Sequence, residues 1–221
     1  MTTIVTETQC AADRFNAIDA ARMRYLIGNP VAKVVNKIVA ELGELERRFI
    51  AHSPFMVLAS HDATGRTDCS PRGDLPGFVR VLDHRTLAIP DRLGNKLADS
   101  FQNICDRPDV GLLFFVPGVR ETLRVNGQAK IVDDPVLLGS MIANGKRPSL
   151  AIVVKTNEVY LHCGKALIRS GLWESENHSL ADALTLGRHV EALQAVASGR
   201  SNINTVAIAA ASSTVYKNEL Y

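Results

Sequence analysis

Four cysteines in 221 residues is a small number, and their placement rules out more than their count does. Cys10, Cys69, Cys105 and Cys163 are widely separated. No two have Cys-x-x-Cys spacing, and no histidine cluster accompanies them. Zinc fingers and redox dithiols need such spacing, so neither is written in this chain. The cysteines read as reduced thiols in a cytoplasmic protein, with disulfides not expected. An excess of one charge is also lacking: 25 Lys and Arg against 23 Asp and Glu leave a net charge of +2. That is too little to argue for nucleic acid or an anionic membrane as partner. No apolar run approaches the roughly 20 residues that a membrane span requires. Residues 1–9 lack the cationic start and apolar stretch of a secretory leader. There is no Gly-x-Gly-x-x-Gly fingerprint, no Walker loop and no Gly-x-Ser-x-Gly elbow.

What is present is the composition of a soluble globular domain, 46% hydrophobic and 22% charged, enough to bury a core without staples. No repeat, low-complexity tract or linker divides it. The expected organisation is a single domain over 1–221 with helical extensions at both ends. A helix is expected over 11–27, stopped by Gly28-Asn29-Pro30. Apolar residues at Val31, Val34, Val35, Ile38, Leu42, Leu45 and Phe49 have helical spacing and predict an amphipathic helix over 31–50. From Phe55 the period changes to two. Strands are expected over 55–60, 66–73, 78–82, 86–90, 110–116, 121–132 and 149–163. Asp62-Ala63-Thr64-Gly65 makes the first hairpin turn, with glycine where a positive φ is needed. The wholly apolar run at 110–116 suggests burial on both faces, and Asn126-Gly127 marks a bulge or bend. Helices are expected over 96–105 and 135–143 and, less regularly patterned, over 179–198 and 205–221. Six or seven strands joined by short turns argue for a closed or nearly closed antiparallel barrel.

The stretch from Asp68 to Ile104 concentrates the residues that chemistry needs. In Asp91-Arg92-Leu93-Gly94-Asn95-Lys96 a turn feeds a helix whose first N–H groups, with Arg92 and Lys96, suit a phosphate. The same turn also suits a plain cap made by Asn95, with the cations in water. In Ser70-Pro71-Arg72-Gly73-Asp74, a strand places Ser70, Arg72 and Asp74 on one face. Proline and glycine mark an edge or bulged strand with backbone free for a ligand. An Arg72–Asp74 surface pair is the plainer alternative. Thr122, Arg124 and Asn126 alternate with Leu123 and Val125, which gives either a solvated face or a binding face. Lys165 and Arg169 fall one helical turn apart, and Trp173, the single tryptophan, is either core or the wall of a flat aromatic ligand. His162-Cys163 is a metal signal without partners, and a packed pair is the simpler reading.

Several of these motifs occur together in a known order. Ser70-Pro71-Arg72-Gly73-Asp74-x-Pro76-Gly77-Phe78, Ile89-Pro90-Asp91-Arg92-x-Gly94-Asn95 and Val116-Pro117-Gly118-x-x-Glu121-Thr122-Leu123-Arg124-Val125-Asn126-Gly127 resemble a pyridoxamine 5'-phosphate oxidase-like branch of the flavin-binding split β-barrels. The resemblance covers about 49–173. It implies a mainly β fold with flanking helices, a six-stranded antiparallel split barrel. It also implies a homodimer with FMN in a groove between subunits, and an oxidoreductase acting on a small-molecule substrate through flavin N5. By position, Ser70, Pro71, Arg72 and Gly73 would lie along the flavin, and Ile89 and Pro90 would meet its ring or ribityl chain. Arg92 would add positive charge to the phosphate turn, where Asn95 and Lys96 would hold the phosphate. Thr122 and the neighbouring Arg124 would face the flavin, and Lys165, Arg169 and Trp173 would close the site. The C-terminal substrate-phosphate motif of true pyridoxamine-phosphate oxidases is not found after Trp173. That leaves a deazaflavin reductase, or a flavin or haem carrier on the same barrel, as alternatives.

Overall fold

The computed structural model describes residues 10–94 and 96–174. Asn95 and the helices expected over 179–198 and 205–221 lie outside the described residues. The chain divides into two units, 1–37 and 38–221.

In the first unit the helix expected over 11–27 is split. Ala11–Arg14 form a single 3₁₀ turn, and α1 spans Ala20–Ile27. The cause is Asp19, whose carboxylate accepts a hydrogen bond from the Arg22 N–H at 2.7 Å and caps a new helix inside the expected one. Gly28 ends it at φ 77°. A short helix, α2, follows at Ala32–Val35.

The second unit holds α3, Glu44–His52. The helix expected over 31–50 is therefore not continuous. Val39 N–H donates to Val159 O at 3.2 Å, and Leu42 N–H donates to His84 O at 2.7 Å. These amides serve strand-like and turn contacts, so no helix can form across them.

The sheet has seven strands: β1 Phe55–His61, β2 Thr67–Gly73, β3 Arg80–Asp83, β4 Thr86–Pro90, β5 Asp109–Phe115, β6 Thr122–Val132 and β7 Ala151–His162. All pairings are antiparallel, in the order β2-β1-β5-β6-β7-β4-β3. The sheet is open, with β2 and β3 as edges, as a split barrel requires. The sheet has seven strands where the resemblance implied six, and the four residues of β3 pair with β4 as one edge.

The first hairpin forms at Asp62, which accepts from the Thr64 and Arg66 amides and from the Thr64 hydroxyl, with Gly65 at φ 89°. The expected bulge is present: the β6–β7 register shifts between Asn126 and Gly127. A Cβ on Gly127 would lie 2.2 Å from Lys155 O, so the close strand approach admits glycine alone.

One face of the sheet carries the core. Met56, Leu58, Leu112, Phe114, Leu123, Val125, Ile152 and Val154 alternate inward along their strands and meet Ile50 and Ile104 from the helices. The helix expected over 96–105 begins later, as α4 Asp99–Asp106, because Lys96 and Ala98 are left-handed at φ 60° and 57°. It is tied to the sheet by Asn103 Nδ2 donating to Ser60 Oγ (3.0 Å) and by Ser100 Oγ donating to Asp68 Oδ2 (2.7 Å).

A smaller cluster of Ala88, Leu138, Met141 and Ala151 lies under α5. That helix spans only Pro135–Gly139, with Asp134 as its cap. Beyond it, Asn144 and Gly145 both have positive φ and close a two-residue turn between Ala143 and Lys146. The burial expected on both faces of β5 is only half met. Val110, Leu112 and Phe114 are buried, whereas Leu113 and Phe115 stay partly exposed. The last helix, α6, spans Lys165–Ser170.

Candidate anion site at the β2 edge

The end of β2 and the end of β4 are joined by two ion pairs that cross between the segments. Arg72 Nη1 stands 3.7 Å from Asp91 Oδ1. Arg92 Nε donates to Asp74 Oδ2, and Arg92 Nη1 donates to Met141 O at 3.0 Å. The Arg72–Asp74 pair considered from the sequence does not form. The structure crosses the partners instead, because β2 runs into one loop and β4 into another, and each arginine meets the carboxylate of the other segment.

The two pairs differ in kind. The Asp74 side chain is 2% exposed and its contact with Arg92 is closed, so this pair is an architectural clamp. The Arg72 pair is looser than hydrogen-bonding distance. Arg72 lies with its Cζ 5.3 Å from the centre of the Phe101 ring, and its Nε is buried with no hydrogen-bond partner among the described residues. Burial pulls the Arg72 guanidinium below its ordinary value, against the opposing pull of Asp91 and Asp68. Burial likewise pushes the Asp91 carboxyl up, against Arg72 and Arg92. A half-buried cation with an idle donor is a costly arrangement that an anion would relieve.

Ser70 is half-buried on the same face of β2 as Arg72, and Pro71 and Gly73 lie on the exposed face of this edge strand. The face and the edge position agree with the sequence reading. Lys96 is exposed in a left-handed conformation, three residues before α4, so it does not occupy the helix N-terminus expected for it. The α4 terminus has no side-chain cap among the described residues. Ile89 points into the core at 0% exposure, Pro90 is buried, and both pair with β7, so neither side chain is presented to a ligand as expected.

The other candidates gather elsewhere. Thr122 is buried and paired in register with His162. Arg124 donates to Tyr160 Oη at 3.1 Å and stacks on that ring. Lys165 and Arg169 are exposed on α6. Trp173 is half-buried and donates Nε1–H to Val119 O at 2.8 Å. The register row Arg72–Met56–Phe114–Leu123 sets β6 three strands from β2, on the order of 14 Å along the sheet. Within one chain this sets Thr122 and Arg124 apart from Arg72.

Sequence reasoning did not single out Asp91, Asp74 or Phe101 as site residues. The available signal was the matching order of opposite charges in the two segments, Arg72 with Asp74 and Asp91 with Arg92. Beside Asp91 lies a cavity of about 160 Å³ whose lining includes Arg92, Lys146, Arg147 and Ser149. Among the described residues, no helix is long and apolar enough to cross a membrane.

An open antiparallel sheet with flanking helices, consistent with a split barrel, is the class that the fold defines. Within that class, the profile described as pyridoxamine 5'-phosphate oxidase matches residues 42–163, more than half of the chain, and the protein belongs to that family. HupZ of Group A Streptococcus is similar at 14% identity over 54% of this chain and 93% of that one, with a TM-score of 0.45. A putative pyridoxamine 5'-phosphate oxidase of Lactobacillus delbrueckii is 22% identical over 55% of this chain and 95% of that one, with a TM-score of 0.43. HutZ of Vibrio cholerae, described as a haem storage protein, is 15% identical over 54% of this chain and 93% of that one, with a TM-score of 0.39. No curated protein matches the chain.

Proposed function

We propose that this protein is a cytoplasmic FMN-binding oxidoreductase that works as a homodimer on a small-molecule substrate. The observation that carries the reading is Arg72: a half-buried guanidinium, held over Phe101, with an idle Nε and only a loose counter-ion. A phosphate supplies the oxygens that this cation lacks. Ser70 adds a hydroxyl on the same face, and Lys96 adds an exposed charge before the uncapped α4 terminus.

The residues present thus fit the phosphate end of FMN. Bound flavin would supply electron and hydride transfer at its N5 atom. The chain's own side chains orient and neutralise: Arg72 and Lys96 hold charge, Pro71 and Gly73 leave the edge backbone accessible, and the Arg92–Asp74 clamp fixes the loop that carries Asp91. Thr122 and Arg124 lie three strands from Arg72 within one chain, and Lys165, Arg169 and Trp173 follow β7 on α6 and the segment after it. In a dimer they would close the groove from the second subunit. The face that would make this dimer is the outer side of β1 and β5, where Val57, Leu113 and Phe115 are half-buried and Phe55 is 40% exposed.

The test is the visible absorption spectrum of purified protein before and after FMN addition, followed by turnover with NADH or NADPH. A protein-bound, two-banded oxidised-flavin spectrum that NAD(P)H bleaches supports the proposal. A Soret band identifies haem, and uptake of a deazaflavin in preference to FMN identifies that cofactor; either overturns the FMN assignment.

A further inference from the structure

Of the two ion pairs that join β2 to β4, one is built as a permanent contact and the other is not. Asp74 and Arg92 are in close contact, Asp74 is almost fully buried, and Arg92 also holds Met141 O. Asp91 and Arg72 lie at 3.7 Å, with neither side chain hydrogen-bonded to the other and Arg72 Nε without a partner among the described residues.

Asp91 has cationic neighbours on three segments. Arg72 approaches from β2, with Asp68 acting on it from the same strand. Arg92 follows in its own loop, and Lys146 and Arg147 line the cavity beside it from the turn before β7. We propose that Asp91 is a resident counter-ion of Arg72 which an incoming anion displaces, so that anion binding at this site is coupled to protonation of Asp91. The proposal rests on the reading of Arg72 as the phosphate anchor.

Repulsion between like charges drives the coupling. An oxyanion seated on Arg72 stands within a few ångströms of Asp91, in partly desolvated surroundings where such repulsion is strong. Burial already holds the Asp91 carboxyl above its ordinary value. A second anion pushes it further in the same direction, so the bound state takes up a proton that the free state lacks. Affinity for an anion then rises as pH falls through the range in which Asp91 titrates in the complex. Arg92, Lys146 and Arg147 oppose this shift and set how much of one proton is taken up.

The experiment is isothermal titration of wild-type protein and Asp91→Asn with two probes, sulfate and FMN, in two buffers of different ionisation enthalpy. Sulfate does not titrate near neutral pH, so any proton it brings belongs to the protein. With pH stepped from 7 down to 4, the expected result is net proton uptake with sulfate in the wild type where Asp91 titrates in the complex, none in Asp91→Asn at any pH, and about tenfold tighter binding by the variant near neutral pH, where wild-type Asp91 stays charged. Riboflavin, which has no phosphate, should bind both proteins equally. Sulfate bound with proton uptake by a wild type that ignores FMN would uphold the counter-ion and remove the flavin. Equal or weaker binding by Asp91→Asn, no proton uptake in the wild type, or no sulfate binding by either protein overturns the proposal. The wild-type proton count stands by itself should the variant fail to fold.

Discussion

Asp62 shows how a single side chain both shapes and titrates a turn. The Thr64 hydroxyl, and after it the Arg66 and Thr64 amides, hold its carboxyl down from 3.8 to about 2. A depressed folded-state value contributes stability that is present above 3.8 and is lost as pH falls towards about 2. Asp62→Ala should therefore melt below wild type at neutral pH, and the gap between the two melting temperatures should shrink as pH falls from 4 to 2. A gap that stays constant across that window would contradict the assignment.

Gly127 is the second residue-scale test. An added methyl would meet Lys155 O at 2.2 Å, a backbone atom fixed by the β6–β7 ladder. Gly127→Ala should cost at least about 2 kcal/mol in denaturant unfolding. This bulge was legible in the sequence because an Asn-Gly step inside a period-two run interrupts the side chains that a regular ladder packs. The crossed pairs Arg72–Asp91 and Arg92–Asp74 were not legible. Which carboxylate an arginine meets depends on where two separate strands end, and no local pattern records that.

At the scale of elements, the strands were readable and the helices less so. Six alternating runs and the apolar run at 110–116 became seven strands close to their expected bounds, because alternation reports a sheet with one buried face directly. The helix periodicity over 31–50 misled, since Leu42, one of its members, is apolar for a different reason, and Val39 between the turns is drawn into pairing with β7. Val39 pairs through its backbone with Val159 of β7, and Leu42 enters the core beside the β3–β4 turn. The start of α4 was missed because left-handed Lys96 and Ala98 carry no glycine signal.

Trp173 belongs to the same scale, since it fastens the segment after α6 to the turn after β5 through Val119 O. Trp173→Phe keeps most of the apolar contact and removes the donor. The expected loss is about 1 kcal/mol of stability by denaturant titration. No loss would mean that the indole hydrogen bond does not hold this segment.

At the scale of the whole molecule, the resemblance in the sequence extended to the family, and the fold agrees with it. The candidate site was legible only in part. Arg72 sits where its strand pattern placed it, Ile89 is turned into the core, and Thr122 and Trp173 lie in a second region of the chain. In the proposed homodimer a second subunit would reunite them. The tilted Phe55–Phe115 pair, with ring centres 6.0 Å apart, lies on the outer face of the sheet beside Val57 and Leu113. Leu113→Lys puts a charge at the centre of that face and should convert a dimer to a monomer in sedimentation, with FMN affinity falling in parallel. A dimer that persists in the variant would place the interface elsewhere.

The proposed function turns on Arg72 as the anchor of a flavin phosphate, and the decisive measurement is a fluorescence titration of FMN into wild type and Arg72→Gln. Saturable FMN binding is expected in the wild type, weakened roughly tenfold to a hundredfold by Arg72→Gln. A smaller loss is expected in Lys96→Glu, while riboflavin binds all three proteins alike. FMN affinity unchanged by Arg72→Gln in a folded protein would contradict the anchor.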